Sequence, residues 1–274
     1  FAFQSKSRFR INIYREKGAI AVALRSIPIQ IPQIEQLGLP SVVPKLLDLK
    51  QGLILVTGPT GQGKSTTLAA CINKINLTKP YHIITVEDPI EYVYPKGKAI
   101  ISQREMNSDT HSWPAALRAT LREDPDVVLV GELRDYETIS AAMTIAETGH
   151  LVFATLHTNS ASQTIDRIID VFPEQQQPQI RIQLASSLEA VISQRLISSI
   201  NPGRAMAVEL LLKTPAVANV IREGKSYLVD NIIQTSAELG MVSLESSLVK
   251  LVSNGSITQE NAQNYAIRPE LLSK

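Results

Sequence analysis

Apolar positions along this chain fall into two alternating kinds of run. Short, nearly continuous apolar stretches read as strands: GLILVTG, YHIITVED, KAIISQRE, DVVLVGE and HLVFATLH. Segments with helical apolar spacing predict helices over residues 64–76, 113–123, 136–148 and 160–171. In the second of these, Trp113, Ala116, Leu117, Thr120 and Leu121 share one stripe. Strands that are apolar on both faces belong in a mostly parallel sheet covered by helices on both sides. The expected fold class is therefore α/β.

The flanks follow other patterns. Residues 1–31 read as β, with RFRINIY and AIAVALRSI arranged around Gly18. The stretch PIQIPQIEQLGLP carries three prolines and reads as a linker. After AMAVELLL the remainder reads as helical, with stops at Gly224, Gly240 and Gly255. The chain opens without Met and in mid-pattern, so a natural N-terminus is expected to be missing.

Composition narrows the class. The 274 residues, 44% hydrophobic and 19% charged, suffice for one large or two modest domains with a real core. No stretch reaches the roughly 18 apolar residues of a membrane span. The charged, alternating opening FAFQSKSRFRINIY is no signal peptide. A net charge of +1 gives no overall nucleic-acid footprint, although a local basic patch stays open. Cys71 is the one cysteine, which excludes an internal disulfide and a multi-cysteine zinc site and fits a reducing compartment. In a predicted helix it reads as a small buried apolar residue.

The strongest chemical signal is GPTGQGKSTT, directly after the first core strand. Gly58, Gly61, Gly63, Lys64 and Ser65 fit G-x-x-x-x-G-K-[ST]. Glycines let the backbone curl so that successive N–H groups converge on one anion. The helix that starts there adds its free amides and dipole. Pro59, Thr60, Gln62 and Thr66 complete the cradle. Lys64 is placed to reach β- and γ-phosphates, and the Ser65 hydroxyl to ligate Mg²⁺. The expected ligands are ATP and Mg²⁺.

Phosphoryl transfer also needs the metal held and the water oriented. VVLVGE places Glu132 just past an apolar strand, for a Mg²⁺-water or water-polarising role. Gly131 stands where an Asp often precedes that Glu, and Asp126 lies at the wrong end of the strand for metal. TVEDPIE brings Glu87, Asp88 and Glu91 to the end of the second core strand. A carboxylate there, Glu87 before Glu91, can orient or deprotonate water; a turn-forming Asp-Pro with surface acids is the plainer alternative. His157 ends HLVFATLH and can donate to a γ-phosphate, although strand-end histidines, His150 included, commonly serve structure. Neither has the Cys or His spacing of a metal site.

Together these pieces resemble the secretion-type ATPases, specifically the type IV pilus retraction ATPases. GPTGQGKSTT is similar to the family's Walker A, TVEDPIEYV to its Asp box, LREDPDVVLVGELRDYET to its Walker B stretch and AETGHLVFATLHTNSA to its His box. IDRIIDVFP and LEAVISQRL continue the match, and VIREGKSY resembles the C-terminal A-I-R-A-G-E motif. Here that motif's first Ala is Val220, and its A-G-E reads Glu223, Gly224, Lys225.

The resemblance implies a RecA-like P-loop core over residues 46–212. It also implies a remnant of a PAS-like N-terminal domain over 1–32, a linker over 33–45 and a helical C-terminal region over 213–274. It implies a homohexamer with ATP between the N-terminal and core domains. Arg10 and Arg25 match N-terminal arginines that face the nucleotide; Arg134, Arg118 and Arg122 read as ion-pair or interface residues. The implied location is cytoplasmic, at the inner face of the cytoplasmic membrane without insertion. The implied partner is the pilus platform protein, with no nucleic acid. Pilus extension and type II secretion ATPases of the same superfamily remain alternatives, although they usually carry a four-cysteine zinc insertion that one cysteine cannot supply. A RecA-like nucleic-acid translocase and a non-hydrolysing regulatory subunit are more distant alternatives.

Overall fold

The computed structural model describes residues 2–3, 7–27 and 29–273; residues 1, 4–6, 28 and 274 of the expected terminal units lie outside them. The chain begins with a small antiparallel sheet of β1 (Ala2–Phe3), β2 (Ser7–Glu16) and β3 (Ala19–Ile27). Lys17 and Gly18 turn β2 into β3 with φ of 50° and 82°. Two positive φ values match the right-handed twist of the flanking strands. Arg10 lies directly opposite Arg25 in that register.

The proline-rich stretch that follows is not a free tether. It holds a 3₁₀ turn at Ile34–Gln36, and the short α1 (Val43–Leu46) follows after it. Ile34 and Val43 are buried in the main core, and Glu35 pairs with Lys74 at 2.9 Å.

The core elements are β4 (Gly52–Thr57), α2 (Lys64–Thr78), β5 (His82–Glu87), β6 (Ile100–Glu105), α3 (Trp113–Thr120) and β7 (Val127–Val130). They continue with α4 (Tyr136–Glu147), β8 (Leu151–Leu156), α5 (Ala161–Asp170), α6 (Gln177–Ser187), β9 (Leu188–Ser198) and β10 (Arg204–Leu212). The seven strands order as β10-β9-β4-β8-β7-β5-β6. All neighbours run parallel except β9 and β10. The carboxyl ends of β4, β5, β7 and β8 therefore meet along one edge, where ligands of such sheets bind.

Successive strand residues feed opposite cores. Leu53 and Leu55 face α4, α5 and α6, whereas Ile54 and Val56 face α2. The buried Cys71 belongs to the α2 side, and burial pushes its thiol up to about 12.

The five expected strands and four expected helices are all present. Two further strands, β9 and β10, extend the sheet. No turn residue separates α6 from β9, because the helix ends at Ser187 and the strand begins at Leu188. Helix α3 ends at Thr120 rather than 123. Its stripe keeps Ala116, Leu117 and Thr120 buried, but Leu121 caps the helix and is 38% exposed.

The C-terminal region is helical, with α7 (Pro215–Arg222), α8 (Val229–Thr235), α9 (Leu244–Ser253) and α10 (Gln259–Tyr265) as its α-helices. Leu244, Leu248, Ile257 and Ala262 bury against Ile197 and Ala207 of the β9–β10 pair. Among the described residues, no helix is long and apolar enough to cross a membrane.

Candidate nucleotide-binding site

The loop between β4 and α2 curls through three glycines with φ of 139° at Gly58, 80° at Gly61 and 82° at Gly63. These values favour glycine alone. Space adds a second demand at two of them. A Cβ on Gly58 would lie 2.5 Å from the Gln194 carbonyl oxygen, and one on Gly63 would lie 3.1 Å from Leu196 Cδ1. The loop is thus pressed onto β9.

Gln194 and Leu196 of β9 hold the loop by hydrogen bonds. Gln194 Nε2 donates to Gln62 O at 2.5 Å, and its Oε1 accepts from Thr67 Oγ1 at 2.9 Å. Leu196 N–H donates to Gln62 Oε1 at 2.6 Å. Arg195 is buried and donates to Asn159 O at 2.6 Å, while Ser193 Oγ donates to the same carbonyl at 3.2 Å. One strand therefore braces both the phosphate loop and the segment just past His157.

Lys64 is buried at the first turn of α2. Its Nζ donates to Gly58 O at 2.7 Å and Pro59 O at 3.0 Å. Burial lowers its pKa, opposed by the nearby carboxylates of Glu132 and Glu91. Ser65 is exposed in the cleft, and Thr66 Oγ1 lies 2.9 Å from the Tyr92 hydroxyl.

His157 sits between the lysine and the acid. Its Nδ1 lies 3.4 Å from Lys64 Nζ and 3.3 Å from Thr60 Oγ1, and its Nε2 lies 3.4 Å from Glu132 Oε1. Burial and the Lys64 charge lower its pKa, against the pull of Glu132. An ammonium only donates, so Nδ1 accepts and the Nε2–H faces Glu132. Glu132 also pairs with Arg134 at 2.8 Å, so Arg134 is an ion-pair residue as expected.

The glycine before Glu132 has a physical reason. A Cβ on Gly131 would lie 3.2 Å from Val86 O and 3.3 Å from Glu87 Cα, with the Trp113 ring 3.5 Å away. The end of β7 runs so close to β5 that a side chain here would need its backbone neighbours to give by a few tenths of an ångström. Thr155 Oγ1 fixes the same peptide by donating to Gly131 O at 2.6 Å.

Glu87 ends β5 and accepts from Thr85 Oγ1 at 2.7 Å and Gln103 Nε2 at 3.3 Å. Burial raises its pKa, and those hydrogen bonds oppose the rise. Glu91 is half-buried in the same wall.

Arg10 and Arg25 close the opposite side of a cleft of about 650 Å³ that also admits Thr60, Lys64, Ser65, Glu132 and His157. Gly61, Gly63, Thr66, Glu87 and Glu91 also line this cleft, whereas Gly58, Pro59 and Gln62 of the loop are not among its lining residues. The sequence did not single out Gln194, Arg195 or Arg204. They lie far along the chain, Gln194 being 127 residues from Thr67, and no local motif ties them to the loop.

Such a cradle fits a triphosphate: a main-chain curl at a helix N-terminus, a lysine anchored on loop carbonyls, and carboxylates across from it. Fold and cleft are those of a P-loop ATPase. The chain belongs to the Type II/IV secretion system protein family, whose model matches residues 22–219. It is similar to the type IV pilus retraction ATPase PilT of Pseudomonas aeruginosa, 48% identical over 98% of this chain and 78% of that protein. A twitching motility protein of Neisseria gonorrhoeae is 47% identical over 100% of this chain and 73% of its own length. A crystal structure of the pilus retraction motor PilT with bound ADP shares the fold with a TM-score of 0.92 at 51% identity, over 100% of this chain and 78% of that one.

Proposed function

We propose that this chain is the ATP-hydrolysing subunit of a motor that retracts type IV pili. It works as a homohexamer at the inner face of the cytoplasmic membrane and acts on the pilus platform protein. The observation that carries the reading is the contact of Lys64, His157 and Glu132 within 3.4 Å in one cleft, in a chain 48% identical to a retraction ATPase.

The residues divide the work. Main-chain amides from Thr60 to Thr66 hold the phosphates, and Lys64 moves from loop carbonyls to phosphate oxygens. The Ser65 hydroxyl and the Glu132 carboxylate are hard oxygen donors that would hold Mg²⁺, which would supply charge neutralisation for the phosphates. Glu132 polarises the attacking water, with Glu87 and Glu91 in support. His157, already between lysine and acid, contacts the γ-phosphate and changes partners when it leaves.

Arg10 and Arg25 sit on the separate N-terminal sheet. Their guanidiniums meet the developing phosphate charge when the cleft closes. Loss of the γ-phosphate removes contacts made only in the closed state, so the cleft reopens. Opening in sequence around a ring moves the partner.

Deleting the gene in its source cell and scoring surface pili tests the direction of work. The expected cells carry many pili that do not shorten. Bald cells would overturn retraction and favour an extension motor. ATP hydrolysis stimulated by DNA would favour a translocase instead.

A further inference from the structure

The β9–β10 hairpin lies over the phosphate loop. Its turn is closed by Ser199, whose N–H donates to Gly203 O at 3.3 Å and whose hydroxyl donates to Asn201 O at 2.6 Å. Through Leu196 the hairpin touches both Gln62 and Gly63. Arg204 opens β10, opposite Ser198, and its side chain enters the same cleft as Lys64 and Ser65. Its Nη1 lies 3.5 Å from Gly61 O, at the outer limit of a hydrogen bond.

The other cations of the cleft are already committed or carried elsewhere. Lys64 is held by two carbonyls, and Arg134 by Glu132. Arg10 and Arg25 ride on the small N-terminal sheet. Arg204 lies on β10, in the same sheet as the β4 strand that leads into the phosphate loop, is exposed, and forms no ion pair among the described residues. A planar five-donor group so placed matches phosphate oxygens without any domain movement.

The same hairpin is tied to the C-terminal helices. Ile200 N–H donates to Ser256 O at 2.9 Å, between α9 and α10. Asn261 Nδ2, on α10, donates to Ser198 O at 3.0 Å. A ligand that engages Arg204 therefore pulls on an element the C-terminal region also holds.

We propose that Arg204 is a direct phosphate ligand of the bound nucleotide, and that through it the β9–β10 hairpin links occupancy of the cleft to α9 and α10. This rests on the reading of the cleft as an ATP site. Because Arg204 needs no cleft closure, it contacts phosphates that ATP and ADP share. It contributes to binding in the ground state, unlike the arginines of the N-terminal sheet.

The test measures ADP and AMP-PNP affinity, with Mg²⁺, for the assembled parent, Arg204→Ala and Arg204→Lys. Losing one charge-assisted contact weakens both nucleotides about tenfold in the alanine variant. The lysine variant falls between, since it keeps the charge and loses the fork. Steady-state KM for ATP rises by more than kcat falls. Unchanged ADP affinity in Arg204→Ala overturns the assignment. Hydrogen exchange reads the linkage: ADP slows exchange at the Ile200 amide in the parent and not in Arg204→Ala. No slowing in a parent that binds ADP overturns the link. A parent that binds no nucleotide at all refutes the ATPase reading instead, so the two failures are distinct.

Discussion

Glu209 lies on β10 with 3% of its surface exposed, and its Oε1 accepts from the Ala161 N–H at 2.6 Å at the start of α5. Burial raises its pKa to about 7, the Ala161 hydrogen bond and Arg268 oppose the rise, and the nearby Asp230 and Glu245 add to it. An unfolded Glu ionises near its ordinary 4.5. Between those two values the folded chain keeps a proton that the unfolded chain has released. Stability therefore falls as pH rises from about 4.5 to about 7, then levels off. At about 1.4 kcal/mol for each tenfold in proton affinity, the loss is roughly 3 kcal/mol. Glu209→Gln keeps the acceptor for Ala161 and mimics the protonated acid at every pH. Urea unfolding of parent and variant at pH 5 and pH 8 measures the effect. The variant is expected to gain a few kcal/mol on the parent at pH 8 and little at pH 5. A stability difference that is the same at both values would refute the buried proton.

Three more expectations follow from the cleft. Glu132→Gln keeps nucleotide binding but lowers turnover by about 100-fold or more, read by phosphate release; full turnover would remove Glu132 from the chemistry. Gly131→Ala forces a methyl to within 3.2 Å of Val86 O and 3.3 Å of Glu87 Cα, atoms of backbone that yield little. Displacing Glu132 by a few tenths of an ångström lowers kcat several-fold, since about 1 Å of misplacement costs roughly 100-fold; an alanine variant with parental kcat and melting temperature would contradict the crowding. Gln194→Ala removes the hydrogen bonds to Gln62 and Thr67 and leaves buried polar atoms unpaired. It is expected to cost about 2 kcal/mol of stability and to raise KM for ATP; calorimetry with steady-state kinetics checks both, and unchanged values would deny the brace.

Legibility followed locality. The phosphate loop could be read because its glycines, lysine and serine are neighbours in sequence and each answers a demand of one turn. Four of the five strands from GLILVTG to HLVFATLH showed because both of their faces are buried, and the edge strand β6 showed by its short apolar run although it is at most half-buried. Strand β9 did not show, because Ser193, Gln194 and Arg195 break its apolar run. Those residues are polar for a reason that lies elsewhere in the chain: they hydrogen-bond Gln62, Thr67 and Asn159. The proline-rich stretch read as a linker, yet its Ile34 is buried, since proline content reports backbone restriction and not what the side chains meet.

The sequence by itself determined the α/β alternation, the anion-binding curl before α2 and the acids and histidine at strand ends, because backbone geometry, apolar period and residue chemistry act over a few neighbouring positions. Only the tertiary structure decided which of those acids touches His157, why residue 131 has no side chain, and that Arg204 shares the cleft with Lys64. Those outcomes depend on strand order and register, which bring together residues up to 143 positions apart. Parallel pairing of β4 with both β8 and β9 sets the loop, the histidine and the bracing strand side by side. No local pattern encodes that neighbourhood, since it arises only when the whole sheet closes.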